Sequence, residues 1–437
     1  MHSARISTFS CLALVAVIGL SGYAFSANYA AVGTCAVPNA VTPAHTYTSI
    51  QQAVTASKAG TIIQICPGIY PEQVATTKSM TLEGVISGGQ DAAVIVPPTT
   101  GMVANTTDPD SSEPMAAQIL VQSEALVSIL NLTVDGTGST GNGITGCAPD
   151  LVGILFQSAS GTINHVAVRN QVLAPGLGGC QSGESIYVQT ATGLTSKVTV
   201  ENTSVHNYNK NGITGNDVGT TLKLSDNYVQ GNGVVPSGGA AQNGIQLAFG
   251  ATGTIVSQTV IDNIYGDITI AASADILIYD TAENSVTVNN NILGNSQLPI
   301  ILDSDETGMA GDGITVTGNH VFGTSVYDAI DVCSNGNTVT GNTIFNTSES
   351  GVHLDASCGG TGKNNVATGN TIIESTCAGI LDDYSGTGGN SYGAEIYHTV
   401  PFPVAGSAGA CPFPAAPAAM ARGTRLPSKV SPVGRKR

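Results

Sequence analysis

The chain has 437 residues, of which 10% are charged, 54 are glycine and none is tryptophan. Six of its fourteen basic residues follow Met420 and one lies before residue 28, so residues 28–420 carry seven basic against thirty acidic groups, about −23 in net charge. Such a surface repels nucleic acid and anionic lipid, which excludes both as partners; it suits neutral sugars, cations or simple solubility. The abundance of Gly, Thr, Asn, Ser and Val favours short strands and tight turns over helices.

The N-terminus has the layout of a secretory signal peptide. His2 and Arg5 precede an apolar run at residues 11–20, and the small residues Ala24, Ser26 and Ala27 follow it. That run is shorter than the roughly 18 apolar residues a membrane span needs. We therefore expect residues 1–27 to be a signal peptide and the mature protein to be secreted, either extracellular or periplasmic. We expect it to be monomeric and not inserted in a membrane.

Eight cysteines follow this segment, and their even number predicts disulfides in an exported protein. They are Cys35, Cys66, Cys147, Cys180, Cys333, Cys358, Cys377 and Cys411. The coil geometry derived below would bring Cys35 near Cys66 and Cys333 near Cys358, and the remaining pairings stay open. None has the paired C-x-x-C spacing of a zinc site, which argues against a metal role.

The first predicted element is a short helix within residues 47–59, with Ile50, Ala53 and Val54 on one face. Gly60 ends it, and a strand follows over residues 61–66. We expect this helix to cover the open end of a stack of strands, because an uncovered end strand would pair with other chains.

A repeated pattern then runs from about residue 120 to 373: alternating apolar residues, a polar step, an asparagine and another short strand. The asparagines are Asn131, Asn164, Asn202, Asn227, Asn263, Asn291, Asn319, Asn342 and Asn370, spaced 23 to 38 residues apart. A constant unit with variable insertions predicts a solenoid. Asparagine tolerates the left-handed turn conformation, and stacked amides can form a ladder. Chance recurrence is the alternative, but shared flanks such as T-G-N argue against it.

A second register places Ile or Val where the next strand of each coil begins, with the side chain predicted to point inward. These residues are Ile213, Ile245, Ile276, Ile300, Ile330, Val352 and Ile380. Residues one and three positions later then point outward, onto a face expected to be wet. We predict one β-helix domain over residues 28–400 and a Pro/Ala-rich, basic, disordered tail over residues 401–437.

Residues 49–74, S-I-Q-Q-A-V-T-A-S-K-A-G-T-I-I-Q-I-C-P-G-I-Y-P-E-Q-V, with K-S-M-T-L-E-G at 78–84, resemble the opening of the pectin-lyase-like superfamily. The resemblance implies an all-β, right-handed, single-stranded parallel β-helix with a short N-terminal capping helix. That fold hosts lyases, hydrolases, esterases, epimerases, tailspikes and adhesins, so it does not fix a function. Gly68, Tyr70 and Glu72 match a pectin methylesterase element, but the tryptophan element of that family is missing. We expect these three residues to form a turn that locks the first coil.

The outward positions of the C-terminal coils predict the candidate site: Asp303, Asp331, His353, Asp355 and Asp383, with Asp305 and Glu306 in a flanking loop. Glycoside hydrolysis needs two carboxyl groups, about 5–5.5 Å apart for retention and about 6.5–9.5 Å for inversion. Rungs are about 4.8 Å apart, so neighbouring coils bracket these separations. The same carboxylates could bind calcium, although no cofactor is required. Outward aspartates that are merely solvated are the alternative.

Three functions remain open at this point. The first is hydrolase-like processing or binding of a polysaccharide on the acidic face. The second is a non-catalytic extracellular scaffold or adhesin, which leaves open whether the protein is an enzyme. The third is a polysaccharide lyase, which would depend on calcium because Arg169 is the only arginine in residues 28–420. A groove with converging carboxyl groups of perturbed pKa would favour an enzyme, and a flat wet face would favour the scaffold.

Overall fold

The computed structural model describes residues 28–35, 46–86, 92–137, 141–267, 271–304, 312–324, 326–356 and 361–406. Their strands stack into three long sheets in which successive coils pair in parallel, so each coil contributes one strand to each sheet. The predicted all-β parallel β-helix is therefore confirmed. No helix in the described part of the chain has the length and apolar character that a membrane crossing requires.

The first sheet consists of Tyr29–Val32, Thr46–Tyr47, Ile62–Ile65, Met80–Gly84, Leu126–Leu130, Ser160–Asn164, Ser196–Glu201, Thr220–Ser225, Thr252–Val256, Val286–Asn289, Thr315–Thr317, Thr338–Thr340, Val366–Thr368 and Ser391–Gly393. The second consists of Gly68–Pro71, Ala93–Val96, Thr133–Asp135, Ala167–Gln171, Ser204–Tyr208, Tyr228–Val235, Thr259–Tyr265, Ile292–Gly294, His320–Phe322, Thr343–Thr347, Thr371–Ser375 and Ile396–His398. The third consists of Val74–Thr76, Pro114–Gln122, Asp150–Gln157, Glu184–Gln189, Asn211–Asn216, Asn243–Ala248, Ala274–Tyr279, Leu298–Asp303, Ile330–Cys333, Ser350–Leu354, Ala378–Asp382 and Phe402–Ala405. The short strand Thr106–Thr107 pairs antiparallel with Pro114–Gln122.

The predicted inward register lies in the third sheet and is confirmed. The isoleucine and valine positions pair from coil to coil without a break from Ile213 to Ile380. All of them are fully buried in one continuous hydrophobic core. A one-residue slip would turn this column outward, so the buried column fixes the register of the whole sheet.

The N-terminal helix spans Ile50–Ala56, and its predicted apolar face is buried in the core. Glu72 anchors its first turn by accepting hydrogen bonds from Ile50 N and Gln51 N, both at 2.8 Å. Tyr70 donates its hydroxyl to Cys66 O at 2.7 Å. The prediction that Gly68, Tyr70 and Glu72 form a turn is wrong, because Gly68–Pro71 is a strand of the second sheet. The contacts of Tyr70 and Glu72 do hold the first coil together, while the covering of the open end stays a prediction.

The asparagine repeat forms a ladder, but over a shorter stretch than predicted. Its members are Asn227, Gln258, Asn291, Asn319, Asn342 and Asn370, all buried. Asn319 is typical: Nδ2 donates to Asn342 Oδ1 at 2.9 Å and to Val288 O at 3.0 Å. Its backbone N–H also donates to Asn342 Oδ1, at 3.0 Å. The amide thus satisfies backbone groups that the turn would leave unpaired.

Two details of the repeat correct the sequence analysis. Asn263 is not in the ladder: it lies inside a strand of the second sheet, and Gln258 holds the ladder position of that coil. The left-handed turn residue is the one before the ladder amide, such as Asn290 with φ 54° or Gly341 with φ 64°. Of the nine asparagines predicted to form the turns, only Asn131 and Asn202 adopt the left-handed conformation themselves. In the pattern N-N or G-N, the first residue therefore makes the left-handed turn and the second supplies the ladder amide. A single asparagine was expected to do both.

Disulfides link Cys35 to Cys66, as predicted, and Cys147 to Cys180. Cys333 and Cys377 are also disulfide-bonded, while Cys358 and Cys411 lie outside the described residues.

The predicted domain boundary at residue 400 is too early, because Phe402–Ala405 pairs in parallel with Ala378–Asp382. The predicted signal peptide lies outside the described residues, and so does the predicted tail from residue 407.

Candidate functional site

The outer face of the third sheet carries the predicted row of side chains in an unbroken register. Its members are Leu155, Tyr187, Thr214, Gln246, Leu277, Ile301, Asp331, His353 and Leu381. The expectation that this face is wet is wrong, since all nine are buried. Insertions fold over it: Thr106 in one insertion, for example, donates to Gln157 Oε1 at 2.6 Å. The outer face of the third sheet is therefore largely covered by insertions and is open to solvent only in places.

Toward the C-terminal end, five side chains converge, and we call them the histidine cluster: Asp328, Asp331, His353, Asp355 and Asp383. His353 Nδ1 lies 3.0 Å from Asp328 Oδ2. Its Nε2 lies 3.4 Å from Asp383 Oδ2 and 3.9 Å from Asp355 Oδ1. The side chain of His353 is only 2% exposed and that of Asp355 is fully buried. The predicted neighbours do meet, around a buried imidazole.

His353 supplies the positive charge of the histidine cluster. Burial by itself lowers the pKa of His353, but the carboxylates of Asp355 and Asp328 raise it well above its usual value. Burial raises the pKa of Asp383, yet the hydrogen bond from His353 brings it below its usual value. The imidazole is therefore an imidazolium at neutral pH, with both ring N–H groups directed at carboxylates. This is the arrangement of a buried ion network.

Asp328 is a member of the cluster that was not predicted from the sequence, and Asp303 was predicted but lies outside the cluster. Asp328 precedes the inward Ile330 by two positions, where strict alternation points a side chain into the core. In this sheet the second residue before the inward position lies on the outer face, as Ala274 does when it packs with Leu277. Asp303 is partly buried and pairs with Cys333 in the next strand. Asp305 and Glu306 lie outside the described residues.

The cluster also brings together atoms that could bind a metal ion. Asp328, Asp331 and His353 offer ligand atoms within 4.8 Å of one another, as do His353, Asp355 and Asp383. A third grouping contains Cys333, whose sulfur is already in a disulfide. A histidine binds a metal ion only through its neutral imidazole. The carboxylates around His353 favour its protonated form and thus compete with a metal.

A cavity of about 410 Å³ opens on the same face, several coils nearer the N-terminus. We call it the acidic cavity. Its floor is the outer surface of the third sheet, including Glu184 and Tyr187. One wall is the turn at residues 108–113, and the opposite wall contains the disulfide between Cys147 and Cys180. It is a concave, partly apolar site of the size that small ligands occupy.

Local hydrogen bonds hold the walls of the cavity in place. Asp108 accepts from the backbone N–H groups of Asp110 at 2.9 Å and Ser111 at 2.7 Å, which closes the turn. Gln189 Nε2 donates to Asp108 Oδ2 and ties that turn to the floor. On the other side, Leu151 N donates to Ser182 Oγ at 2.9 Å. The lining is thus preformed by the fold.

Two carboxyl groups of the cavity, those of Asp150 and Glu184, have pKa values far above their usual range. Burial, together with the charges of Asp108 and Glu113, raises the pKa of Asp150 to about 7. Burial and the charge of Asp150 raise the pKa of Glu184 to about 8, against the opposing effect of Lys210. Burial lowers the pKa of Lys210 to about 8. Near neutral pH, the cavity therefore contains a carboxylic acid and a second carboxyl group at its titration midpoint.

Tyr187 adds a neutral phenol to the floor. Burial and the charge of Glu184 raise its pKa well above the usual value. Its oxygen accepts a hydrogen bond from Asn216 Nδ2 at 3.1 Å, which leaves the phenolic proton as a donor. Tyr187 follows the inward Ile186 by one position and so belongs to the outward row, whereas Glu184 and Asp150 lie outside both outward rows. The cavity was therefore not predicted from the sequence.

The comparisons with known proteins support the fold. The A-module of mannuronan C-5 epimerase AlgE4 from Azotobacter vinelandii is similar in structure, with a TM-score of 0.54 and 15% identity over 81% of this chain and 91% of that one. The AlgE6 A-module from the same organism has a TM-score of 0.51 and 16% identity over 81% and 89%. No protein-family model matches the chain, and no curated protein sequence matches it. The chain thus shares the fold of these modules, a parallel β-helix.

Proposed function

We propose that the protein is an exported, polysaccharide-processing enzyme that cleaves glycosidic bonds in the acidic cavity, with Glu184 as the proton donor. The observation that carries this proposal is the cavity itself, in which buried carboxyl groups titrate near neutral pH. Perturbed carboxyl groups that converge in a cleft are typical of acid–base catalysis. The disulfides support export, because such bonds persist in oxidising compartments.

The two carboxyl groups suit the two halves of glycoside hydrolysis. Glu184 retains its proton at pH 7 and can deliver it to the leaving oxygen, as a general acid must. Asp150 titrates near pH 7, so its carboxylate can activate a water molecule or attack the sugar. Tyr187 can donate a hydrogen bond to the bound sugar. The strands of Asp150 and Glu184 are adjacent, because Val152 pairs with Glu184.

A polysaccharide as substrate is supported by the shape of the fold and by its structural neighbours. The stacked coils provide one long face along which a chain of sugars can lie. The names of the two epimerase modules state that they act on mannuronan, a polysaccharide. A scaffold function is less well supported, because it would not need a cavity with reactive carboxyl groups. A lyase would depend on calcium, because no lysine or arginine is among the described residues lining the cavity, and the screen below tests it with and without that ion.

The histidine cluster is our second candidate for the reaction centre, as the sequence analysis predicted for Asp303, Asp331, His353, Asp355 and Asp383. The convergence of three carboxylates on an imidazolium favours it. Against it, the imidazole is almost completely buried. We therefore assign the reaction to the acidic cavity and a stabilising role to the cluster.

The experiment is a screen for new reducing ends and unsaturated products over plant, algal and bacterial polysaccharides, with and without calcium. Wild type is compared with Glu184→Gln, Asp150→Asn and His353→Gln, each checked for folding by circular dichroism. We expect activity that Glu184→Gln abolishes. Full activity of that variant would refute the cavity assignment, and loss only in a folded His353→Gln variant would favour the cluster. A wild type inactive on every polymer would favour the scaffold.

A further inference from the structure

The lining of the acidic cavity is unbalanced in charge. Its acidic members are Asp108, Asp110, Glu113, Asp150, Glu184 and Asp217, and none of the described lining residues is basic. Lys210 lies close enough to influence Glu184, but it is 1% exposed and its Nζ donates to Ala241 O at 2.8 Å. The charge that a ligand meets in the cavity is therefore negative.

The cavity also contains hydrogen-bonding atoms that the protein does not satisfy. Glu184 Oε2, Gln189 Oε1 and Gln181 Oε1 are buried and have no hydrogen-bond partner within the described part of the chain. Glu184 is 5% exposed and Gln189 is 2% exposed, and all three residues line the cavity. The bond from Gln189 Nε2 to Asp108 fixes the orientation of that amide, so its free atom is the acceptor oxygen. A buried acceptor without a partner is costly, and a ligand that donates hydrogen bonds relieves this cost.

We infer, on the basis of the proposed function, that the cavity selects a sugar residue without an acidic group, and that it rejects uronic acid residues. Sugar hydroxyl groups, or the ammonium of an amino sugar, supply donors to the free amide oxygens of Gln181 and Gln189. A uronate carboxylate would bring another negative charge into a cavity lined by Asp108, Glu113 and Asp217, and in a poorly solvated site that repulsion is strong. It would also present acceptor oxygens to the two amide oxygens, which are acceptors themselves. Rejection by unpaired like charges is a physical basis of specificity.

This inference separates the chain from its structural neighbours in substrate. Mannuronan, the polymer in the names of the two epimerase modules, is built from a uronic acid. A site for such a sugar needs cations or donors facing the carboxylate. The lining of the acidic cavity offers the opposite, so a shared fold here accompanies a different class of sugar.

The test uses matched hexasaccharides that differ only in the acidic group: galacturonan, glucuronan and mannuronan oligomers, each beside the same oligomer with its carboxyl groups reduced to hydroxymethyl groups. A chitosan hexamer adds a cationic probe. Binding is measured by titration calorimetry at pH 7 in 0.1 M salt (about a 10 Å screening length) with wild type and Glu184→Gln. We expect a reduced oligomer or the chitosan oligomer to bind at least about tenfold more tightly than any acidic one.

A charge variant sharpens the test. Asp110→Asn combined with Glu113→Gln removes two wall charges, and we expect the preference against the acidic oligomer to shrink about threefold or more. The matched control, Glu83→Gln with Glu201→Gln, removes two charges from the first sheet and should leave the preference unchanged.

Tighter binding of an acidic oligomer than of its reduced form overturns this inference. If that oligomer is also processed in a Glu184-dependent way, the proposed function stands and only the charge selection fails. Absence of binding to every oligomer, with no activity in the polysaccharide screen, overturns both.

Discussion

The acidic cavity and the histidine cluster lie on the same face of the same sheet, and both contain buried carboxyl groups. In the cluster, His353 supplies a cation among the aspartates, and the pKa of Asp383 falls below its usual value. In the cavity, no cation faces the opening among the described lining residues, and the pKa values of Asp150 and Glu184 rise to about 7 and about 8. The presence or absence of a facing cation thus accounts for the opposite pKa shifts of Asp383 on one side and of Asp150 and Glu184 on the other.

The largest expected effect separates the two regions by activity. Glu184→Gln removes the proposed proton donor while keeping size and polarity, so we expect kcat/KM to fall about 10²- to 10⁴-fold. Product formation per unit of folded protein is the measurement. Ser111→Ala alters the lining of the same cavity without removing a carboxyl group and should keep activity within about tenfold of wild type. Equal losses in both variants would contradict a specific role for Glu184.

Stability should separate the regions in the opposite sense. His353→Gln leaves Asp328, Asp355 and Asp383 without their cation in a buried site, which should cost about 3–5 kcal/mol in the free energy of unfolding. Urea denaturation at pH 6 measures it. The raised pKa of His353 gives a contribution that is complete below about 6.5, the usual histidine value, and is lost as pH rises through the higher folded value.

A double variant tests whether this loss arises from charge. Asp328→Asn in the His353→Gln background removes one of the uncompensated carboxylates, so part of the lost stability should return. The comparison is with the Asp328→Asn single variant. If Asp328→Asn lowers the free energy of unfolding by the same amount in the wild type and in the His353→Gln background, the two residues act independently and the ion network is not the cause.

The cavity predicts a distinctive pH dependence. Because the pKa of Glu184 is raised from 4.5 to about 8, its ionisation destabilises the folded state progressively as pH rises from about 4.5 through 8. Glu184→Gln should therefore lose less stability than wild type between pH 5 and 8, by roughly 3 kcal/mol at about 1.4 kcal/mol for each pKa unit. Thermal unfolding across this range measures it. Parallel curves for the two proteins would show that Glu184 has no raised pKa.

The smallest effect concerns the scaffold that carries both regions. Asn342→Ala removes an amide that accepts from Asn319 N and Nδ2 and donates to Val316 O. We expect a loss of about 1–3 kcal/mol from the unpaired buried groups, and no change in the cavity pKa values. Asn289→Ala, a partly exposed asparagine in the first sheet, should cost less than about 0.5 kcal/mol. Similar losses in both would mean that the ladder contributes little.

The sequence contained enough information for the fold and for part of the histidine cluster. Alternating apolar residues and turn residues repeat in every coil, so Ile330 and Val352 could be placed correctly, and the outward pairing of Asp331 with His353 followed from them. Asp328 was missed because the strands of the third sheet depart from strict alternation before the inward isoleucine. Such a local irregularity has no signature in residue type.

The acidic cavity was beyond sequence reasoning for a different reason. Its walls come from insertions at residues 108–113, 147–150 and 179–182, whose paths the repeat does not specify. The burial that raises the pKa of Glu184 exists only after these insertions have folded over the sheet. The register predicted which side chains share a face, whereas the insertions decide which part of that face is open.

The amide ladder has a direction. From Asn291 onward, each side chain donates through Nδ2 to the oxygen of the next coil, and Asn370 donates to Glu395 Oε1 at 3.1 Å. A carboxylate accepts hydrogen bonds but has none to pass on. The amide ladder therefore ends at Glu395. If the solenoid were lengthened by whole coils, an amide side chain would be required at that position for the ladder to continue.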